Sequence, residues 1–147
     1  MKRILLWVLA VSPTGLFAQP VQCAAGNLIL HGAYAVTITG TAGSPVWAPF
    51  TGPVATTGIF IFDGQGGLQL PAGTSTIVAS NPPLNVAPPF VIAGSYTVNR
   101  DCTGNLTLNF APAPNGHYNL ITSPDGRQIT LISTDKGDVL VGTASRQ

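Results

Sequence analysis

Residues 90–110 read FVIAGSYTVNRDCTGNLTLNF, and this stretch decides the fold. Gly94, Tyr96 and Val98 stand two apart, as do Leu106, Leu108 and Phe110, with Asn105, Thr107 and Asn109 between them. In extended chain successive side chains point to opposite faces, so each half has one inward and one outward face. The two halves are strands, joined by a tight turn at Arg100-Asp101-Cys102-Thr103. The first half is echoed upstream. Gly32-Ala33-Tyr34-Ala35-Val36 matches Gly94-Ser95-Tyr96-Thr97-Val98, again with Gly, Tyr and Val on one face.

Working outward, the same period of two recurs along the chain. Residues 28–41 alternate, with Leu30, Tyr34, Val36 and Ile38 against His31, Ala33, Thr37 and Thr39. Residues 43–53 hold three prolines and read as a loop, with Trp47 and Phe50 as its apolar anchors. Residues 55–63 form a second strand, Gly58, Phe60 and Phe62 facing one way and Ile59 and Ile61 the other, which predicts cover on both sides. Asp63-Gly64-Gln65-Gly66-Gly67 is turn chemistry. A weaker strand follows over 68–80, interrupted by Pro71 and Gly73, and then the two central strands. Three more, over 117–122, 127–134 and 138–143, complete a set of eight with no helix.

Eight sequential strands with hairpin-length joints predict an all-β, single-domain, antiparallel up-and-down β-barrel, an arrangement that leaves no sheet edge open. A sandwich with crossing connections is the rival, disfavoured because nearly every joint is short. Composition agrees. Hydrophobic residues make up 45% and charged residues 7%, with 17 Gly and 13 Pro, so strands and turns are well supplied.

Residues 1–18 carry Lys2 and Arg3, an apolar run from Ile4 to Val11, and then Pro13 and Gly15 before Ala18. That is the pattern of a secretory signal peptide, cut between Ala18 and Gln19, with a cut after Ala25 as second choice. The run is too short to span a bilayer. Residues 19–27 then form an N-terminal tail and 28–147 the barrel, in a secreted or periplasmic protein. The mature chain keeps four bases (Arg100, Arg127, Lys136, Arg146) against five Asp, a formal charge of −1. No basic run exists to bind nucleic acid or anionic lipid, so neither a nucleic acid nor a membrane is an expected partner of the mature form. In an exported chain, Cys23 and Cys102 predict one disulfide tying the tail to the central turn.

The segments GAYAVTITGT, GIFIFDGQGG, GSYTVNRDCTGNLTLNF and ISTDKGDVLVGTASRQ, in that order, resemble small exported bacterial proteins with an allene-oxide-cyclase-like, calycin-type barrel. The likeness spans roughly residues 28–147, with Phe60-x-Phe62-Asp63-Gly64 and Gly94-x-Tyr96-Thr97-Val98-Asn99 to Cys102 as its most specific pieces. The resemblance implies an eight-stranded barrel with a largely apolar interior. It brings no settled activity. The plant cyclases use a glutamate in the cavity, and this chain contains no Glu.

Residues for catalysis are few. Asp63, Asp101, Asp125, Asp135 and Asp138 all adjoin turns, and the two histidines, His31 and His117, are too few for a zinc site without inward carboxylates. Two carboxylates at Asp135 and Asp138 fall short of the 6–8 oxygens calcium takes. No catalytic residue, metal site or cofactor is expected, which points away from an enzyme. What remains is the interior. One reading is a pocket for a small apolar ligand lined by Tyr34, Phe60, Phe62, Tyr96, Leu108 and Phe110, with the two phenols orienting the ligand and Gly32, Gly58 and Gly94 leaving it room. The alternative is a filled core in a structural or protein-interaction barrel. An isomerase of the cyclase type comes third.

Overall fold

The computed structural model describes residues 22–48, 51–81, 83–86, 91–110 and 114–147, with 84–86 described as backbone only. The expected signal segment 1–18, Phe50 and Phe90 lie outside the described residues. Ten strands form: β1 (His31–Ala42), β2 (Thr51–Asp63), β3 (Gly67–Leu70), β4 (Thr76–Asn81), β5 (Pro83–Val86), β6 (Ile92–Val98), β7 (Thr103–Asn109), β8 (Gly116–Thr122), β9 (Gln128–Ser133) and β10 (Val139–Arg146).

Every pairing is antiparallel, and β1 pairs with both β2 and β10, so the sheet closes on itself. Two of the barrel's staves are broken. β3 and β4 both lie along β2, while β6 pairs beside β3 and β5 beside β4. The architecture is therefore an eight-staved, closed, up-and-down barrel, as the alternation predicts. The break between β3 and β4 has a local cause. Pro71 cannot donate to the ladder, and Thr74 N and Oγ1 both bond Pro71 O, turning the chain out of the sheet.

Several boundaries differ from the sequence reading: β5 (Pro83–Val86) is a strand where none was expected, β10 runs on to Arg146, and β1 and β2 begin elsewhere. β1 starts at His31 because Gly26–Ile29 coil into a 3-10 turn in which Leu30 N bonds Asn27 O, carrying Leu30 inward across the barrel end. β2 starts at Thr51 and absorbs Pro53, because the register against β4 shifts between Thr51 and Val54, where a missing N–H does no harm. The outer face of β2 is not covered either. Ile61 is 42% exposed, as part of an uncharged outer wall that also shows Ile121, Ile132 and Val141.

The inward face is apolar and continuous. Tyr34, Val36 and Ile38 of β1 meet Phe60 and Phe62 of β2, Leu68 and Leu70 of β3, Tyr96 of β6, Leu106 and Leu108 of β7, Leu120 of β8, Leu131 of β9 and Leu140 of β10. At one end three rings interlock edge to face, Tyr34–Phe62 and Phe62–Tyr96 each with centroids 5.0 Å apart. Such quadrupole-matched pairs add to the area they bury. Of the three glycines expected to leave room, Gly32 is exposed with open space beside it, Gly94 is crowded (a Cβ there would collide with Thr107 O), and Gly58 packs against Ser75 while lining the cavity described below.

Candidate functional site

The two ends of the barrel are built differently, and this difference locates the site. At the first end the segment 22–30 is tied down. Cys23 and Cys102 form the expected disulfide, with Cα atoms 5.0 Å apart, and Cys23 N donates to Arg100 O at 2.7 Å. Asn27 Oδ1 accepts from Val98 N at 2.7 Å, holding the 3-10 turn against β6. One phenol reaches this segment from inside and the other reaches the turn at Gly126. Tyr34 Oη donates to Gly126 O at 2.6 Å, and Tyr96 Oη donates to Leu30 O at 2.9 Å and Asn27 O at 3.1 Å. The hydroxyls that the sequence offered to a ligand are thus bonded to backbone carbonyls. Beside them Asp63 Oδ1 accepts from the N–H groups of Gln65, Gly66 and Gly67, which pulls its carboxyl below the ordinary range and fixes the β2–β3 turn.

Burial, and then the Asp63 charge, push the Tyr96 phenol up to about 12, and burial raises Tyr34 and Tyr118 as well. A group raised above its unfolded value of 10.0 adds stability that is whole below that pH and lost as pH climbs through the folded value. At pH 10 the folded protein should therefore show less tyrosinate absorbance than the unfolded chain, with Tyr96 ionising only toward about pH 12. Tyr96 titrating at pH 10 with the fold intact contradicts this packing.

The second end is closed by apolar side chains rather than bonds across it. A strap, residues 43–48, crosses the barrel there and drops Val46 and Trp47 inward from a 3-10 turn at Pro45–Trp47. Asp138 pins the strap. Its Oδ1 accepts from Gly43 N at 2.9 Å and Ser44 N at 2.8 Å, and its Oδ2 from Ser44 Oγ at 2.9 Å. Asp135, the other acid of that hairpin, accepts from His117 N and pairs with His117 Nδ1, both at 2.8 Å. Both are structural contacts. His31 lies outside, accepting from Arg146 Nη2.

Beneath the strap lies an apolar cavity of about 20 Å³. Trp47, Phe60, Leu108 and Phe110 line it, together with Val36, Ile38, Leu70, Ile77 and Ile92 from the staves and Ser75, Thr56 and Tyr118 as its polar members. Of the six residues expected to line a pocket, Phe60, Leu108 and Phe110 come together here, and Tyr34, Phe62 and Tyr96 pack in the bonded half. Trp47 is the addition. Its ring stands 6.0 Å from that of Phe110, and among the described residues its Nε1 is buried without a hydrogen-bond partner. A tryptophan amid a charge-free, proline-rich loop was the signal available in the sequence.

No protein-family model matches the chain, and no curated protein matches it. Among solved structures it is similar to a redesigned β-barrel, mFAP1, bound to DFHBI, at 23% identity and a TM-score of 0.50, covering 82% of this chain and 97% of that one. At that identity the likeness establishes the barrel fold alone.

Proposed function

We propose that the protein is an exported barrel that binds one small apolar ligand at the Trp47 end. The observation that carries this reading is the asymmetry of the ends: a disulfide and phenol bonds at one, an apolar cavity under a pinned strap at the other. Phe110 and Ile77 are only partly buried and line that cavity, so they form its rim and the natural way in. The signal-like segment 1–18 and a disulfide both fit an oxidising, secreted or periplasmic compartment. The likeness to a redesigned barrel bound to DFHBI is compatible with a barrel of this fold binding a small molecule. An isomerase reading fares less well, because apart from the Tyr118 phenol the cavity wall carries no ionisable group.

The volume favours a second reading. About 20 Å³ holds one water, so a filled structural or interaction barrel explains the interior equally if nothing moves. Calorimetric titration with ethylbenzene separates the two. Saturable one-to-one binding, lost in Ile77→Phe, which adds a ring at the rim, is the expected result. No heat of binding to either protein leaves the filled barrel.

A further inference from the structure

We infer that the ligand is an uncharged molecule bearing a hydrogen-bond acceptor, seated with that acceptor on Trp47 Nε1–H. This rests on the binding reading above and names the class of ligand. Trp47 is 7% exposed and lines the cavity, and its Nε1–H, buried without a partner among the described residues, is a donor awaiting an oxygen. Buried polar groups in native proteins nearly always have a partner, in protein or water. The cavity that Trp47 lines has the volume of one water, so a ligand that takes over that space and reaches the indole edge must also supply the acceptor.

Charge decides the rest. Among the described residues no Lys, Arg or His lines the cavity. Asp138 fixes the strap that carries Trp47, and the charges of Asp138 and Asp135 reach the Tyr118 phenol on the cavity wall, raising it beyond what burial does. A carboxylate entering here would lose its water and find no cation among the described residues of the wall. Fatty acids and other organic anions are therefore excluded, and neutral ketones, esters or lactones on a flat apolar frame fit. The hydroxyls of Ser75 and Tyr118, also on the wall, offer a second polar contact to such a group. Room for the frame comes from Phe110 and Ile77, the partly exposed members of the wall.

Three probes of one skeleton test this: acetophenone, ethylbenzene and benzoate, titrated into the disulfide-intact, nitrogen-15-labelled protein. Acetophenone is expected to bind about tenfold more tightly than ethylbenzene, the effect of one hydrogen bond to an otherwise unpartnered donor, and to shift the Trp47 indole N–H resonance. Benzoate should not bind. Trp47→Phe should remove the preference for acetophenone over ethylbenzene, read as the ratio of the two affinities measured in the same variant. Equal binding of acetophenone and ethylbenzene, tighter binding of benzoate, or an unmoved indole resonance overturns the acceptor assignment and leaves the apolar cavity standing. Failure of all three probes overturns both.

Discussion

Opening the Cys23–Cys102 bond is expected to lower the stability of the folded protein by about 4–5 kcal/mol. The bond spans 79 positions, and the chain-entropy account of so long a loop gives that magnitude. The native state loses as well. Segment 22–30 supplies Leu30 O and Asn27 O to the Tyr96 hydroxyl and Asn27 Oδ1 to Val98 N, and it buries Leu30 completely. Freed of its covalent anchor, the segment holds the barrel end by those contacts alone. Urea unfolding of the protein with and without reductant, and of the double variant Cys23→Ala/Cys102→Ala, measures the difference. A change below about 1 kcal/mol would mean that the hydrogen bonds and Leu30 seal this end without the disulfide.

The second large effect belongs to Phe62. Its ring sits between Tyr34 and Tyr96 and is 2% exposed, so Phe62→Ala removes the centre of the aromatic stack and leaves a void that close-packed neighbours cannot fill. A loss of about 3–5 kcal/mol is expected, typical of a buried phenylalanine cut to alanine. Phe110→Ala provides the contrast. That ring is only partly buried at the rim of the cavity, so its loss should cost about 1 kcal/mol and widen the entrance. Denaturation midpoints of the two variants measured side by side test the distinction. Similar losses for both would deny that the two ends differ.

Much of the fold was legible because barrel walls are written in a period of two. The Tyr34-Val36-Ile38 and Tyr96-Val98 faces point inward as their spacing requires, and Asp63-Gly64 turns the chain as Asp and Gly do. The broken third stave could be read from Pro71. The site was legible only in part, and the reason is the range of the contacts that make it. Tyr34 and Tyr96 looked free for a ligand because their acceptors are the carbonyls of Gly126, Leu30 and Asn27, and backbone acceptors leave no mark on a sequence. The strap with Trp47 read as a plain loop because what fixes it is Asp138, 94 positions away from Ser44. Asp138 itself read as a turn residue, since nothing local distinguishes an acid that caps its own hairpin from one that pins another.

The central claim is that the interior admits a ligand at the Trp47 end and nowhere else among the described residues. Mapping amide and methyl chemical shifts across the protein during an acetophenone titration tests it most directly. The account predicts saturable shifts at Trp47, Ile77, Ile92, Leu108 and Phe110, with Tyr34, Phe62 and Tyr96 unmoved. Shifts centred on Tyr34 and Tyr96, or no saturable shift anywhere, would contradict it.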